Sequence, residues 1–274
     1  MKARIDLHLH TSCSDSVCSP LEILQMVRDR SLKAFAITDH DTLTGYETVK
    51  ELLTPSDPEL VPGVEVSCAT ANGDLHLLGY LFDPQDEGLN FALTELRIRR
   101  NKRGHRMVQR LNDMGIDISY DDVQACASGA AIGRPHVAAA LVKTGAIDHY
   151  LVAFRKYIGD DGPAFVPKHN IPPPEAIKMI HMAGGVVVMA HPLVGDAINL
   201  LDELVGYGLD GLEAYYPDHS AADTKQLIEQ ARRCRLLVTG GSDFHGRQGR
   251  AGHVGSEPVG LELLEALRAR AGMK

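Results

Sequence analysis

The sequence predicts an α/β protein built on a mainly parallel sheet, open or closed into a barrel, and interrupted once by a helical insertion. Three observations lead there. Seven apolar or β-branched runs bounded by turn residues are spread along the 274-residue chain. Amphipathic helical patterns separate most of them. The stretch from about Phe91 to Pro167 breaks that alternation, with helical patterns and no convincing strand.

The strands are expected at "ARIDLHLH", "KAFAITDH", "ELVPGVEVS", "DLHLLGYLF", "GGVVVMAHP", "GLDGLEAYY" and "RLLVTGGSDFH". In the first, strict alternation puts Ile5, Leu7 and Leu9 on an apolar face and Asp6, His8 and His10 on the other. After it, "SPLEILQMVRDRSL" reads as a helix with Ser19 as N-cap, Pro20 in the first turn and apolar residues at 21, 24 and 27. "PPEAIKMIHMAGG" ends in glycines, as a helix before a strand often does, and "DTKQLIEQARRCR" is a further amphipathic helix. Within the insertion, "ELRIRRNKRGHRMVQRLNDMG" is a strongly basic helix. Its Arg97, Arg99, Arg100 and Arg103 are expected on a solvated face. This organisation makes the catalytic part discontinuous: residues 1–95 and 167–274 form it, and 96–166 form a helical cap.

Composition narrows the functional classes. An apolar fraction of 44% and a charged fraction of 23% are those of an ordinary soluble domain. No apolar run reaches membrane-spanning length and no signal-peptide pattern opens the chain, so no membrane partner is expected. Five cysteines, odd in number and without a CxxC pair, suit reduced thiols and a cytoplasmic setting. The net charge of -8 opposes broad binding to nucleic acid but leaves a small anionic substrate open. On oligomeric state the sequence is silent.

Thirteen histidines against no tryptophan point to the site. The first strand gives His8 and His10, with Asp15 beyond it. The second gives His40, the third Glu65 and the fourth His76. The fifth gives His191, and the last gives Asp243 and His245. A lone strand-end histidine is usually a hydrogen-bonded core or surface residue. Nine such residues at the ends of six strands form a pattern, because parallel strands bring their C-terminal ends to one face. Six imidazoles and three carboxylates without thiolates suit Mn²⁺, Zn²⁺ or Fe²⁺. Nine ligands exceed the needs of one ion, and two or three ions would lower the pKa of a bound water and clamp the oxygens of a phosphate ester.

At these residues the chain resembles the polymerase-and-histidinol-phosphatase (PHP) family of metal-dependent phosphoesterases. The matching pieces are "DLHLHTSCSD", "AITDHDT", "PGVEVS", "HLLGY", "AHP" and "GGSDFHG", in family order. The resemblance implies a distorted seven-stranded (β/α) barrel holding a trinuclear metal centre, often manganese. It implies one metal at His8, His10, Glu65 and Asp243, a second shared through Glu65 and completed by His76 and His191, and a third at Asp15, His40 and His245. Glu65, Asp243 and His191 are then the expected catalytic residues.

"GRPHVA" at 133–138, the basic helix before it and "FVPKHN" after it resemble the branch that acts on nucleoside 3′,5′-bisphosphates, some of whose members trim short RNA from the 5′ end. The expected substrate is a phosphorylated nucleotide losing its 3′-phosphate, with short 5′-phosphorylated RNA as the alternative. Arg134, in a stiff Gly-Arg-Pro turn, and Lys168 and His169 are the candidates for holding a second phosphate. The opposing reading of Arg134 is a surface salt bridge. His219, in "YYPDHS", is a candidate beside the substrate or leaving group, against a plain surface loop. A histidinol-phosphatase-like enzyme and a non-catalytic metal-binding module are the remaining rivals.

Overall fold

The computed structural model describes residues 4–70, 73–127, 129–167, 171–246 and 252–273. Among the described residues eight strands are formed: β1 (Ile5–Leu9), β2 (Ala34–Ile37), β3 (Glu59–Val61), β4 (Gly63–Thr70), β5 (Gly73–Tyr80), β6 (Val186–Met189), β7 (Gly211–Tyr215) and β8 (Leu237–Gly240). Helices α1 (Pro20–Asp29) and α2 (Thr44–Leu52) separate the first three strands, and the long α3 (Glu87–Asp113) follows β5. Then come α4 (Tyr120–Ala127), α5 (Arg134–Lys143) and α6 (Tyr150–Ala153), which runs on as a π-turn at Phe154–Ile158. Helix α7 (Pro173–Met182) leads to β6, α8 (Leu201–Gly206) to β7, α9 (Ala221–Cys234) to β8, and α10 (Leu261–Arg270) follows.

The strands lie in two sheets, β1-β2-β3 and β4-β5-β6-β7-β8. Single bridges link them at both borders, Leu9 to Phe244 and His40 to Glu65. Two expectations are corrected here. The described strands form sheets of three and five, not one sheet of seven. The third expected strand is two, β3 and β4, because Pro62 between them has no N–H to give a ladder. Pairing among the described strands is mainly parallel, as expected: β1-β2, β2-β3, β6-β7 and β7-β8 are parallel, and β5 is antiparallel to both β4 and β6. The β4–β5 ladder begins at Thr70 opposite Gly73, so two residues connect the strands. A connection that short permits only an antiparallel pair.

Helix α1 starts as its sequence dictates. Ser19 accepts from the Glu22 N–H at 3.3 Å, while the Glu22 carboxylate accepts the Ser19 N–H at 2.7 Å. Its buried face is Pro20, Ile23, Leu24 and Val27, and Leu21, expected on that face, is exposed. Ile23, Leu24 and Val27 pack with Phe35, Ile37, Tyr46 and Val49 on one side of the three-stranded sheet. A second cluster joins Ile5, Leu7, Ala34, Val188 and Leu78 to Val259 and Leu264, a third lies under α7, α8 and α9. Each fully buried aliphatic side chain stabilises the fold by about 1.5–3 kcal/mol.

The helical segment has its own core, from Met107 and Leu111 through Val137 and Leu141 to Ile158 and Val166. Helix α3 is shared between cores. Leu89, Leu93 and Leu96 pack with the sheet, and Met107, Val108 and Leu111 pack with α4 and α5. The expected basic, solvated face is also corrected: Arg103 is 7% exposed and its Nε donates to the Val166 carbonyl at 2.7 Å. Arg99 is exposed and Arg97 half-buried, while Arg100 turns inward.

Candidate metal centre

The site grows from a register shift. β1 and β2 pair at Asp6 with Phe35 and again at Leu9 with Ile37, so three residues of β1 match two of β2. Such a bulge re-aims side chains. Leu7 packs with Ile5 in one cluster and Leu9 in another, which breaks the strict alternation expected of this strand. Asp6, His8 and His10 are all buried. Asp6 is no candidate ligand. Its carboxylate accepts the backbone N–H groups of His8 (3.2 Å), Ser242 (3.0 Å) and Gly255 (2.8 Å), and so ties β1 to the segment after β8. Gly241 allows that approach, since a Cβ there would lie 2.4 Å from both His8 Cβ and His8 N.

Glu65 is the hub. Its Oε1 lies 2.9 Å from His76 Nδ1 and 3.1 Å from His191 Nε2. Its Oε2 lies 3.1 Å from His10 Nε2, 3.2 Å from His40 Nδ1 and 3.4 Å from His8 Nε2. Asp243 Oδ1 is 3.2 Å from His10 Nε2 and 3.4 Å from His8 Nε2. Asp15 Oδ1 is 3.1 Å from His245 Nε2 and 4.0 Å from His40 Nε2. The nine residues singled out in the sequence therefore meet in one place. Two of them do so differently from expectation. His76 sits in the first half of β5, whose antiparallel course brings that half to the C-terminal ends of its neighbours, and Glu65 lies inside β4 instead of at its end.

Among the described residues three groups have ligand atoms all within 4.8 Å of one another: His8, His10, Glu65 and Asp243; His10, Asp15, His40 and His245; and His40, Glu65 and His76. Glu65 Oε2 and His40 Nδ1 are buried and make no hydrogen bond, although 3.2 Å apart. Oxygen and imidazole donors held this way fit divalent ions of the Mn²⁺, Fe²⁺ and Zn²⁺ type.

Charge is strongly redistributed within the cluster. Burial works to lower His10, but the carboxylates of Asp243 and Glu65 beside it lift it to about 10. His8 also opposes burial and is held well above its ordinary value by Glu213, Asp243 and Glu65. Burial instead dominates at His40 and pushes it well down. At Glu65 burial acts upward, yet His40, His76 and His8 hold it well below the usual carboxylate range. A ligating imidazole nitrogen must be unprotonated, and His8 Nε2 and His10 Nε2 lie 3.1 Å apart with a proton between them, so an ion entering here displaces at least one proton. Calorimetric titration with Mn²⁺ in buffers of different ionisation heat is expected to show at least one proton released per chain. Affinity is expected to rise with pH between 6.5 and 8.5, by up to about tenfold per unit for each proton released. Heats independent of the buffer would count against this.

The loops that carry the ligands are held by residues outside the expected ligand set. Asp39 accepts the Thr11 N–H (2.7 Å) and the hydroxyls of Thr11 (2.6 Å) and Ser14 (2.5 Å), shaping the loop that bears Asp15. Asp41, His191 and Asp243 have φ of 56°, 26° and 46°, a region costly for residues with a Cβ. Each is fastened. Asp41 accepts the Ser67 N–H at 2.8 Å, the Tyr216 hydroxyl donates to Asp243 at 3.0 Å, and the His191 N–H donates to Glu213 at 2.7 Å.

Arg100 joins this site to the helical segment. Its Nε donates to Asp41 at 2.5 Å and its Nη2 to the Ser67 hydroxyl at 2.6 Å. A Cβ on Gly133 would lie 3.6 Å from Arg100 Nη1, so the start of α5 stands beside it. Arg100→Ala leaves the buried Asp41 carboxylate without its cation, and a loss of about 3–5 kcal/mol is expected. Thermal unfolding and limited proteolysis of residues 96–166 would detect it. An unchanged midpoint would show that the contact is dispensable.

The substrate candidates are placed as follows. Arg134 is the first residue of α5; its Nη1 donates to the exposed Asp160 at 2.6 Å and its guanidinium lies 5.8 Å from the Phe165 ring centre. His219 donates from Nδ1 to the Ala214 carbonyl at 3.0 Å and stands 5.1 Å from the Tyr216 ring. Lys168 and His169 lie outside the described residues.

A fold of this kind with clustered imidazoles and carboxylates defines a class of metal-dependent phosphoesterase. A PHP domain matches residues 6–150. A 5′-3′ exoribonuclease of Haemophilus influenzae is 31% identical over 250 residues, covering 89% of this chain and 91% of that protein. A phosphoribosyl 1,2-cyclic phosphate 1,2-diphosphodiesterase of Eggerthella lenta is 30% identical over 254 residues, with 91% and 97% covered. A 3′,5′-nucleoside bisphosphate phosphatase of Chromobacterium violaceum is 31% identical over 278 residues, with 98% of each covered. A crystal structure from Bifidobacterium adolescentis, assigned as a metal-dependent phosphoesterase, superposes with a TM-score of 0.87 at 31% identity, over 97% of this chain and 96% of that one. The chain belongs to the PHP family of phosphoesterases. Among the described residues no helix is long and apolar enough to cross a membrane.

Proposed function

We propose that this chain is a metal-dependent phosphomonoesterase that removes the 3′-phosphate of nucleoside 3′,5′-bisphosphates and leaves the 5′-monophosphate. One observation carries the reading: the ligand cluster and the cationic elements of the helical segment are contiguous, through Asp41, Arg100 and the start of α5. The 98% mutual coverage with the bisphosphate phosphatase of C. violaceum supports it.

In this reading three ions, Mn²⁺ by preference, are held by His8, His10, Glu65 and Asp243, by Glu65, His76 and His191, and by Asp15, His40 and His245. When bound they supply an activated water and neutralise the charge that develops on the phosphoryl oxygens. Glu65, Asp243 and His191 are the catalytic ligands, and their placement orients the scissile phosphate. Residues 96–166 act as a cap on the barrel-like remainder, 1–95 and 167–274. Arg134 exchanges the exposed Asp160 carboxylate for the 5′-phosphate, with Lys168 and His169 as further cations and His219 beside the bound nucleotide. The enzyme is placed in the cytoplasm.

The exoribonuclease relative gives a second reading, 5′-3′ trimming of short 5′-phosphorylated RNA, the same site serving both. The test is phosphate or nucleotide release, with added Mn²⁺, from adenosine 3′,5′-bisphosphate, 3′-AMP, 5′-AMP, a 5′-phosphorylated trinucleotide and phosphoribosyl 1,2-cyclic phosphate. Fast turnover of the bisphosphate alone supports the first reading. Equal cutting of the trinucleotide replaces it with the second, and preference for the cyclic ester overturns both.

A further inference from the structure

Glu213 is completely buried on β7, between Leu212 and Ala214, and belongs to none of the three ligand groups. Both of its oxygens are nonetheless spoken for by the site. Oε1 lies 2.9 Å from His8 Nδ1, and Oε2 accepts the His191 backbone N–H at 2.7 Å. His8 is on β1 and His191 follows β6, so this one carboxylate fixes two candidate ligands that β7 itself does not carry. The second contact restrains a residue at φ 26°.

We propose that Glu213 is a positioning residue that sets the tautomer of His8 and the backbone of His191 for metal binding, an inference that rests on the reading of His8 and His191 as ligands. The chemistry is direct. A carboxylate can only accept, so it requires a proton on His8 Nδ1 and leaves the Nε2 lone pair facing Glu65 and Asp243, 3.4 Å from each. A carboxylate behind a ligating imidazole also raises its basicity, and removing such a partner typically costs about 10–100-fold in metal affinity.

Glu213→Gln separates this role from simple space-filling. The amide oxygen satisfies the His191 N–H, which turns the NH₂ group toward His8 Nδ1. That nitrogen must then accept, and the proton moves to Nε2, where it blocks ligation. Mn²⁺ titration of the full-length protein is expected to show a loss of about tenfold or more for Glu213→Gln, with circular dichroism unchanged. Wild-type affinity in Glu213→Gln, together with a loss in His8→Ala, would overturn the proposal while sparing the metal site. Wild-type affinity in both variants would overturn the ligand reading itself. Should Glu213→Gln fail to fold, ¹⁵N-histidine NMR of the Zn²⁺-loaded wild type decides, with the His8 signals assigned through His8→Ala. A proton on Nδ1 and metal at Nε2 is expected, and a bare or metal-bound Nδ1 refutes the proposal.

Discussion

Glu65→Gln is expected to lower phosphate release by at least about a thousandfold, equivalent to roughly 4 kcal/mol of transition-state stabilisation. It is also expected to remove more than one ion from the protein. The argument is positional. The two oxygens of this carboxylate face different partners, Oε1 toward His76 and His191 and Oε2 toward His8, His10 and His40. Glutamine keeps the volume but turns one of those faces into a donor, aimed at imidazole nitrogens that need an acceptor or an ion. Phosphate release with Mn²⁺ and metal content by mass spectrometry, on the same preparation, check both parts. Full metal content beside lost activity would confine Glu65 to the chemical step. Retention of both would remove it from the site.

Asp6→Ala should show a loss of stability as large as that of Arg100→Ala, again outside the ligand set. Three backbone donors, on His8, Ser242 and Gly255, lose their acceptor together, and the position is 1% exposed, so water does not replace it readily. Unsatisfied buried donors cost about 1–3 kcal/mol each. Allowing for relaxation, a loss of about 3–5 kcal/mol is expected, which lowers Tm by roughly 10 °C in a chain of this size. Thermal unfolding in excess chelator isolates this effect from any ion. A shift below about 2 °C would mean that the β1–β8 junction is held by other contacts. Burial raises the Asp6 carboxyl above the usual range, and its three backbone donors make it a fastener between β1 and the segment after β8.

Much of the site was legible because its residues are chemically conspicuous. Imidazoles and carboxylates in apolar strands have few uses, and all nine proposed ligands converge. What was missed has identifiable causes. The reversal of β5 follows from the shortness of its link to β4, which leaves no room for a crossover. Arg100 and Arg103 were assigned to solvent because they stand in a basic run. Yet Leu93, Leu96, Arg100, Arg103 and Met107 follow the 3-4 spacing of one helix face, and that face is the inward one. Glu213 and Tyr216 act on ligands instead of on ions, so no ligand pattern in the sequence contains them. The bulge between Asp6 and Leu9 arises from pairing with β2 and has no local signature.

The bridge between Leu9 and Phe244, and the bond from Ser242 to Asp6 across 236 positions of sequence, bear on how the protein is made. Contacts that distant are slow to find, because the chain between them must already be ordered. At about 5–20 residues per second of synthesis, roughly 10–50 s separate the emergence of His8 from that of Asp243. During that interval the nascent chain carries histidines but no completed pocket. A ribosome that stalls before Asp243 therefore releases a product with seven of the nine proposed ligands, and the group of His8, His10 and Glu65 is left without its fourth member.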